Sequence, residues 1–336
     1  MVERDQGVRS SGNPVDVRGR AYEVVDELGL LAQLRDLATH VRELVFVDTA
    51  GRRVASIPTR RTDRELEVPR AELCAALVES ARGVAALRFD DTITSLHPDD
   101  HGVGVSFERG RPDRFDLVVG ADGLHSVVRQ LTFGPEDAFV TRLGIYIATM
   151  RLSGGLDRDD AVVMHNQPGA AVALHPGSGQ PGAAFMFRSS VQVDLRDQDD
   201  IRHLMARRYG GMGWRAPELL DGYLDSDDRY FDAVSRVRVP GWTRGRVVLL
   251  GDAASCVSLF GEGSSSAMAG AATLARSLLE APGGDISRAL LRYETAHQAA
   301  TRRGQRGAAI AAHLLIPATR TGITLRNQAL HRTGHR

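Results

Sequence analysis

The chain has 336 residues, of which 43% are hydrophobic, 25% charged and 5% aromatic. That is a globular composition, with room for two domain-sized units or one large α/β unit carrying an inserted layer. Its 42 basic and 42 acidic residues cancel to a formal charge of zero, so no global field draws in nucleic acid or an anionic membrane. Every basic residue is arginine, which rules out a Schiff-base lysine and a G-x-x-x-x-G-K-[ST] phosphate loop. Cys74 and Cys256 fit neither a C-x-x-C pair nor zinc spacing; a reducing cytoplasm without a structural disulfide or metal site is expected. The most apolar late stretch, GAAIAAHLLIP, stops at Pro317 well short of a membrane span, and no membrane partner is expected.

In chain order, AYEVVDELGLLAQLRDL has helical apolar spacing, with Gly29 as a cap or break. ELVFVDTAGRRVASI reads as a hairpin around Thr49-Ala50-Gly51. Pro69 and Gly83 bracket a helix in PRAELCAALVESARG. Residues 92–108 alternate as a second hairpin, and RFDLVVGADG reads as one continuous apolar strand running into a turn. Between about 143 and 190, strands separated by Gly/Pro turns predict an antiparallel layer exposed on one face. Helices return in IRHLMARRY and APELLDGYL, GRVVLLGDAA is a buried strand, and residues 264–328 are mostly helix. Alternating strands and helices at both ends of a sheet-rich middle predict an α/β nucleotide-binding unit with an inserted substrate layer.

Two junctions carry the chemistry. In RGRVVLLGDAASCVSLFGEGSSSAMAG a strand ends at Gly251-Asp252, and Gly261-x-Gly263 followed by Ser264 and Ser265 opens a helix. Glycines admit a ligand to the backbone, the helix start favours an anion, and the carboxylate suits a sugar hydroxyl. A serine-capped helix after an ordinary turn is the plainer alternative. DLVVGADGLHSVVRQ repeats the arrangement with Asp122, and alone is equally readable as a common D-G turn.

Taken in order, Val2-Glu3-Arg4-Asp5, the R-x-x-L of Arg70 to Leu73, Gly120-Ala121-Asp122-Gly123 and GDAA…GEGSSSAMAGAATLA resemble the single-component FAD-dependent aromatic hydroxylases, the para-hydroxybenzoate-hydroxylase-like monooxygenases. SSGNPVDVRGRAYEVVDELGLL is most similar to their tetracycline-inactivating branch. The resemblance implies FAD, with NADH or NADPH as co-substrate, O₂, and a small-molecule aromatic or polyketide-like substrate. It implies a Rossmann-like FAD-binding domain in two parts, residues 1–140 (with a sheet segment at about 43–68) and 241–285. Residues 141–240 would form an inserted, mostly antiparallel substrate domain, and 286–336 C-terminal helices.

By the same resemblance Glu3 meets the adenosine ribose, Arg4 lies beside the adenine, Arg70 meets the FAD phosphate or flavin side, and Asp122 sits near the pyrophosphate. Asp252, after Gly251, bonds the ribityl chain, and the backbone of Gly261, Gly263, Ser264 and Ser265 holds the pyrimidine edge. Read as residues alone, Glu3 and Arg4 equally suit a solvated terminus and Arg70 a helix start, while Asp16 and Arg18 suit either a place over the flavin or a structural loop. No side chain is assigned as a catalytic acid or base. His101, His165 and His175 sit singly and suit packing or surface roles.

Two departures stand out: Ser255 and Leu259 occupy positions where many relatives carry histidine and proline. The dinucleotide fingerprint and its strand, expected roughly 30 residues ahead of Glu3, are not found. Gly177–Gly182 matches G-x-G-x-x-G in letters, but a strand follows it; Gly211–Ala216 follows a helix. Both are expected to be decoys. The rival reading is therefore a truncated or mis-started family member, flavin-free and inactive as written. A flavin reductase or halogenase-like relative is disfavoured by the absence of W-x-W-x-I-P and of lysine.

Overall fold

The computed structural model describes residues 1–8, 14–59, 61–178, 180–257 and 262–333. Its first layer is β1 (Val15–Arg18) followed by α1 (Arg20–Glu27) and α2 (Leu31–Asp36), separated by Gly29 in the left-handed region at φ 73°. β2 (Glu43–Val47) and β3 (Arg53–Pro58) form the expected hairpin. β4 (Glu65–Val68) returns to pair antiparallel with β1, and α3 (Arg70–Ala81) starts after Pro69. Alternation places Val15, Val17 and Val68 in one core with Val25, Leu34 and Leu73, and turns Asp16 and Glu67 to the opposite face.

β5 (Ile93–Pro98) and β6 (Val103–Phe107) make the second hairpin, joined by β7 (Asp113–Phe115). The continuous strand expected in RFDLVVGADG is broken: β7 stays with β6, whereas β8 (Val118–Gly120) belongs to another sheet. The carbonyl of Asp116, at the changeover, accepts from Arg246 Nη1 (3.1 Å) instead of a ladder N–H. α4 (Val127–Phe133) follows β8.

β9 (Val140–Arg151), β10 (Ala161–Gln167), β11 (Ala170–His175) and β12 (Gly182–Arg188) form the predicted antiparallel layer. α5 (Gln198–Tyr209), α6 (Ala216–Asp225) and β13 (Arg229–Arg238) come next. β14 (Thr243–Arg244), β15 (Val247–Leu249), β16 (Ser255–Val257), α7 (Glu262–Leu279), α8 (Ile286–Leu315) and α9 (Arg320–Thr333) complete the chain.

The large sheet has eight strands in the order β16-β13-β9-β12-β11-β10-β2-β3, with β2 joining β10 in parallel. The expectation of one exposed face is overturned, since all six residues of β11 are buried. Tyr209, Leu220 and Tyr223 of α5 and α6 pack with Val172, Phe185 and Phe187 on one side; Ala312 and Ile316, at the end of α8, pack with Ala171, Ala173 and Met186 on the other. Helices from distant sequence thus remove both faces from water. Both decoy glycine runs lack a strand-to-helix setting. Gly177 lies in the β11–β12 turn, Gly179 falls outside the described residues, and Gly211 follows α5.

Candidate functional site

β8 and β15 run parallel, pairing Val118 with Val247 and Gly120 with Leu249, so both chemistry-bearing turns leave the same edge of one small sheet. After β15 the chain makes a tight turn, Gly251–Ala253, that carries Asp252 into a half-buried position. α7 starts directly against it: a Cβ added to Gly263 would lie 3.1 Å from Asp252 Oδ1. Glycine there keeps the helix start close to the carboxylate. Burial pushes the Asp252 carboxyl above its ordinary range and the charge of Arg70 pulls it partly back. Among the described residues, neither the Asp252 carboxylate nor the Arg70 guanidinium has a hydrogen-bond partner.

Asp122 is placed differently. Its Oδ2 accepts from Val128 N–H at 3.0 Å and its Oδ1 from the Ser126 hydroxyl, while Ser126 Oγ accepts from Arg129 N–H at 2.9 Å. Oδ2 therefore caps α4 directly and Oδ1 holds the N-cap Ser126 in place. Gly120 lets that helix lie on β8, since a Cβ there would sit 2.7 Å from Val128 Cγ1. Arg129, fully buried, donates from Nη1 to Ala253 O (3.1 Å) and from Nη2 to Leu124 O (2.6 Å), tying the Asp122 turn to the Asp252 turn. Burial lowers its ordinary value, opposed by Glu136 at 3.7 Å and by Asp122. The sequence singles out Arg129 by no motif. An arginine on the buried side of a short helix was the available signal.

A polar network continues from this junction. Tyr230 Oη donates to Asp232 Oδ2 (2.9 Å), and His125 lies between Glu136 (3.1 Å) and Asp232 (3.8 Å). Asp232, ahead of Glu136, raises the imidazole above its usual range. Burial raises the Tyr230 hydroxyl, reinforced by Asp232 and Asp252. Ser265 turns its hydroxyl to β1, donating to Asp16 O (2.6 Å) and accepting from Arg18 N–H (3.2 Å), so α7 is fastened beside β1. Ser264 is half-buried one residue earlier, and Gly261 lies outside the described residues.

Glu3 and Arg4 are exposed. The backbone of Glu3 bonds Arg88 O (2.8 Å) and Asp91 N (3.2 Å), and its carboxylate accepts from Asp5 N–H (3.0 Å). Those bonds hold an edge segment and do not run to the Asp252 cluster. His165 is buried with Nδ1 2.9 Å from Val47 O, while His101 is on an exposed loop. His175 Nδ1 accepts from Gly177 N–H (3.0 Å), which puts the ring proton on Nε2, 3.4 Å from Glu67. Among the described residues no cluster of metal-ligating side chains occurs, and no helix is long and apolar enough to cross a membrane.

These features fit FAD. Among the described residues, a half-buried carboxylate without a donor suits a ribityl hydroxyl, an unpaired arginine at a helix start suits phosphate, and Gly263 lets the start of α7 approach that carboxylate. The comparisons agree. Residues 1–309 match the family described as FAD binding domain. The uncharacterized protein Rv1260 of Mycobacterium tuberculosis (strain ATCC 25618 / H37Rv) is 36% identical over 316 residues, 91% of this chain and 84% of that protein. A flavin-dependent monooxygenase of Legionella longbeachae is 31% identical over 301 residues, 87% of this chain and 77% of its own length. The crystal structure of tetracycline destructase Tet(51) superposes with a TM-score of 0.83 at 28% identity, covering 99% of this chain and 88% of that one. With family, relatives and fold in agreement, the chain belongs to the FAD-binding-domain family of flavin-dependent, aromatic-hydroxylase-like monooxygenases.

Proposed function

We propose that the chain binds FAD along the β15–α7 junction and, using NADH or NADPH and O₂, transfers one oxygen atom to an aromatic or polyketide-like small molecule in a reducing cytoplasm. The observation that carries this reading is Asp252, half-buried and without a partner among the described residues, with the charge of Arg70 acting on it and Gly263 against it. In balance, NAD(P)H, a proton, O₂ and substrate give NAD(P)⁺, water and hydroxylated substrate. FAD supplies the electron-carrying and oxygen-activating chemistry when bound, and the chain supplies position and electrostatics.

In this reading Asp252 accepts from a ribityl hydroxyl, Arg70 faces phosphate or the flavin side, and the amides from Gly261 to Ser265 meet the pyrimidine edge. Glu3 and Arg4 serve the adenosine end. Asp122 shapes the pyrophosphate turn by capping α4, because its carboxylate oxygens are already engaged. Residues 1–140 and 241–285 then serve the cofactor, 141–240 the substrate, and 286–336 brace both. The test is FAD retention through gel filtration together with NAD(P)H oxidation in the presence of a panel of phenols and tetracycline. The expected result is a yellow protein whose oxidation rate rises with at least one compound and yields a product heavier by one oxygen. Flavin that washes off completely, or a rate unchanged across the panel, sinks the reading.

A further inference from the structure

Next to the Asp252 turn lies a cavity of about 420 Å³ between α8 and the ends of β13 and β16. Arg238, Ser255, Gln298, Thr301 and Arg302 line it, with Trp242 in its wall. Among the described residues the lining holds two arginines and no acid. Elsewhere many arginines of this lysine-free chain are matched to carboxylates, as in Arg61–Glu67 and Arg215–Glu218. Among the described residues Arg238 has no carboxylate within ion-pair distance, and the Arg302 guanidinium donates to Gln298 Oε1 (3.1 Å), a neutral acceptor. The nearest acid along α8, Glu294, is occupied by Trp242 N–H, the Thr243 hydroxyl and Gln298. Two residues before Arg238, on the same side of β13, the Nε of Arg236 is buried without a partner.

Uncompensated guanidinium groups around a concave site select an anion, and their planar forks match phosphate oxygens. The volume falls in the range of small-molecule pockets and exceeds what a single ion fills. The lining includes Ala254 and Ser255, two and three residues after Asp252, so a ligand here is continuous with the proposed flavin segment. We propose that this cavity is a phosphate-binding site, and that it takes the phosphate-bearing end of the nicotinamide dinucleotide. The assignment rests on the electron-donor reading above, while the phosphate chemistry stands without it.

Isothermal titration of the FAD-supplemented full chain with inorganic pyrophosphate, NADPH and NADH tests it, comparing wild type with Arg238→Gln/Arg302→Gln. Both residues are exposed, so the double variant is expected to fold, which circular dichroism checks. Pyrophosphate and NADPH should both bind, each weakened about tenfold or more in the variant, the loss expected for charge-assisted hydrogen bonds. No heat with pyrophosphate, or equal affinity in both proteins, overturns the site. Pyrophosphate binding without NADPH binding assigns the cavity to free phosphates and overturns the dinucleotide. If NADPH reduces the flavin equally well in both proteins, the cavity assignment fails and the monooxygenase reading stands. If pyrophosphate binding is lost in the variant but no flavin reduction occurs in wild type, only the electron-donor reading fails.

Discussion

The turns after β8 and β15 have the same design: a short parallel strand, a glycine beside an aspartate, and a helix. Their aspartates nevertheless have opposite fates. Asp122 gives its oxygens to Ser126 and Val128 of its own helix. Among the described residues Asp252 has no such donor, because α7 starts nine residues beyond its turn and meets it with Gly263. A similar local motif therefore makes a structural cap in one place and an open acceptor in the other. Distance along the chain to the next helix decides which, and only the open one has capacity left for a ligand.

Removing what joins the two turns should have the largest effect. Arg129→Met leaves Ala253 O and Leu124 O without their buried donor and leaves Glu136 with His125 as its remaining basic neighbour. A loss of about 3–5 kcal/mol is expected in urea unfolding, with loss of flavin. A change under about 1 kcal/mol would mean the turns are held by backbone alone.

A saturated carboxylate sharpens the contrast by its pH dependence. Glu67 lies opposite Asp16 on the β1–β4 pair, and although burial opposes its charge, His175, Arg61 and Thr39 hold it down to about 2 from 4.5. A lowered carboxyl stabilises the fold above its ordinary value, and this contribution fades as pH falls from about 4.5 through about 2. Thermal melts of Glu67→Gln should therefore show less acid sensitivity than wild type in that window. Asp252 has the opposite sign. Its raised value favours the fold most below the ordinary 3.8, with stability declining as pH rises through the raised value. A donor from FAD stabilises the ionised form, so FAD affinity should climb over the same rise. Flat affinity across it would remove Asp252 from the cofactor.

Asp252→Ala should weaken FAD by one to two orders of magnitude, the worth of a charge-assisted hydrogen bond of about 1.5–3 kcal/mol, while leaving unfolding stability unchanged or raised. Fluorescence titration with FAD checks it. The smallest effect is expected at Asp122→Ala: about 1 kcal/mol of stability from the lost cap, read from the urea midpoint, with less change in FAD affinity than at Asp252. The reverse order of the two flavin losses would exchange their roles.

Local chemistry by itself determined much of this protein. Pro69 and Gly83 marked α3, Gly29 the break after α1, alternation the two hairpins, and four aliphatics in a row the buried β15, because propensity, turn geometry and burial period act over a few residues. The order of short motifs was enough to point to the flavin family. Tertiary structure alone decided the rest. RFDLVVGADG looks like one strand, yet Arg246 takes up Asp116 O where the chain changes sheets. β9 to β12 look half-exposed until α5, α6 and the end of α8 cover them. Two aspartates with the same local signature part company because hydrogen-bond capacity is spent on whichever donor arrives in space, and Arg129 matters because it reaches a carbonyl 124 residues away. Sequence sets which groups seek partners; the fold sets which of them remain unsatisfied and able to bind.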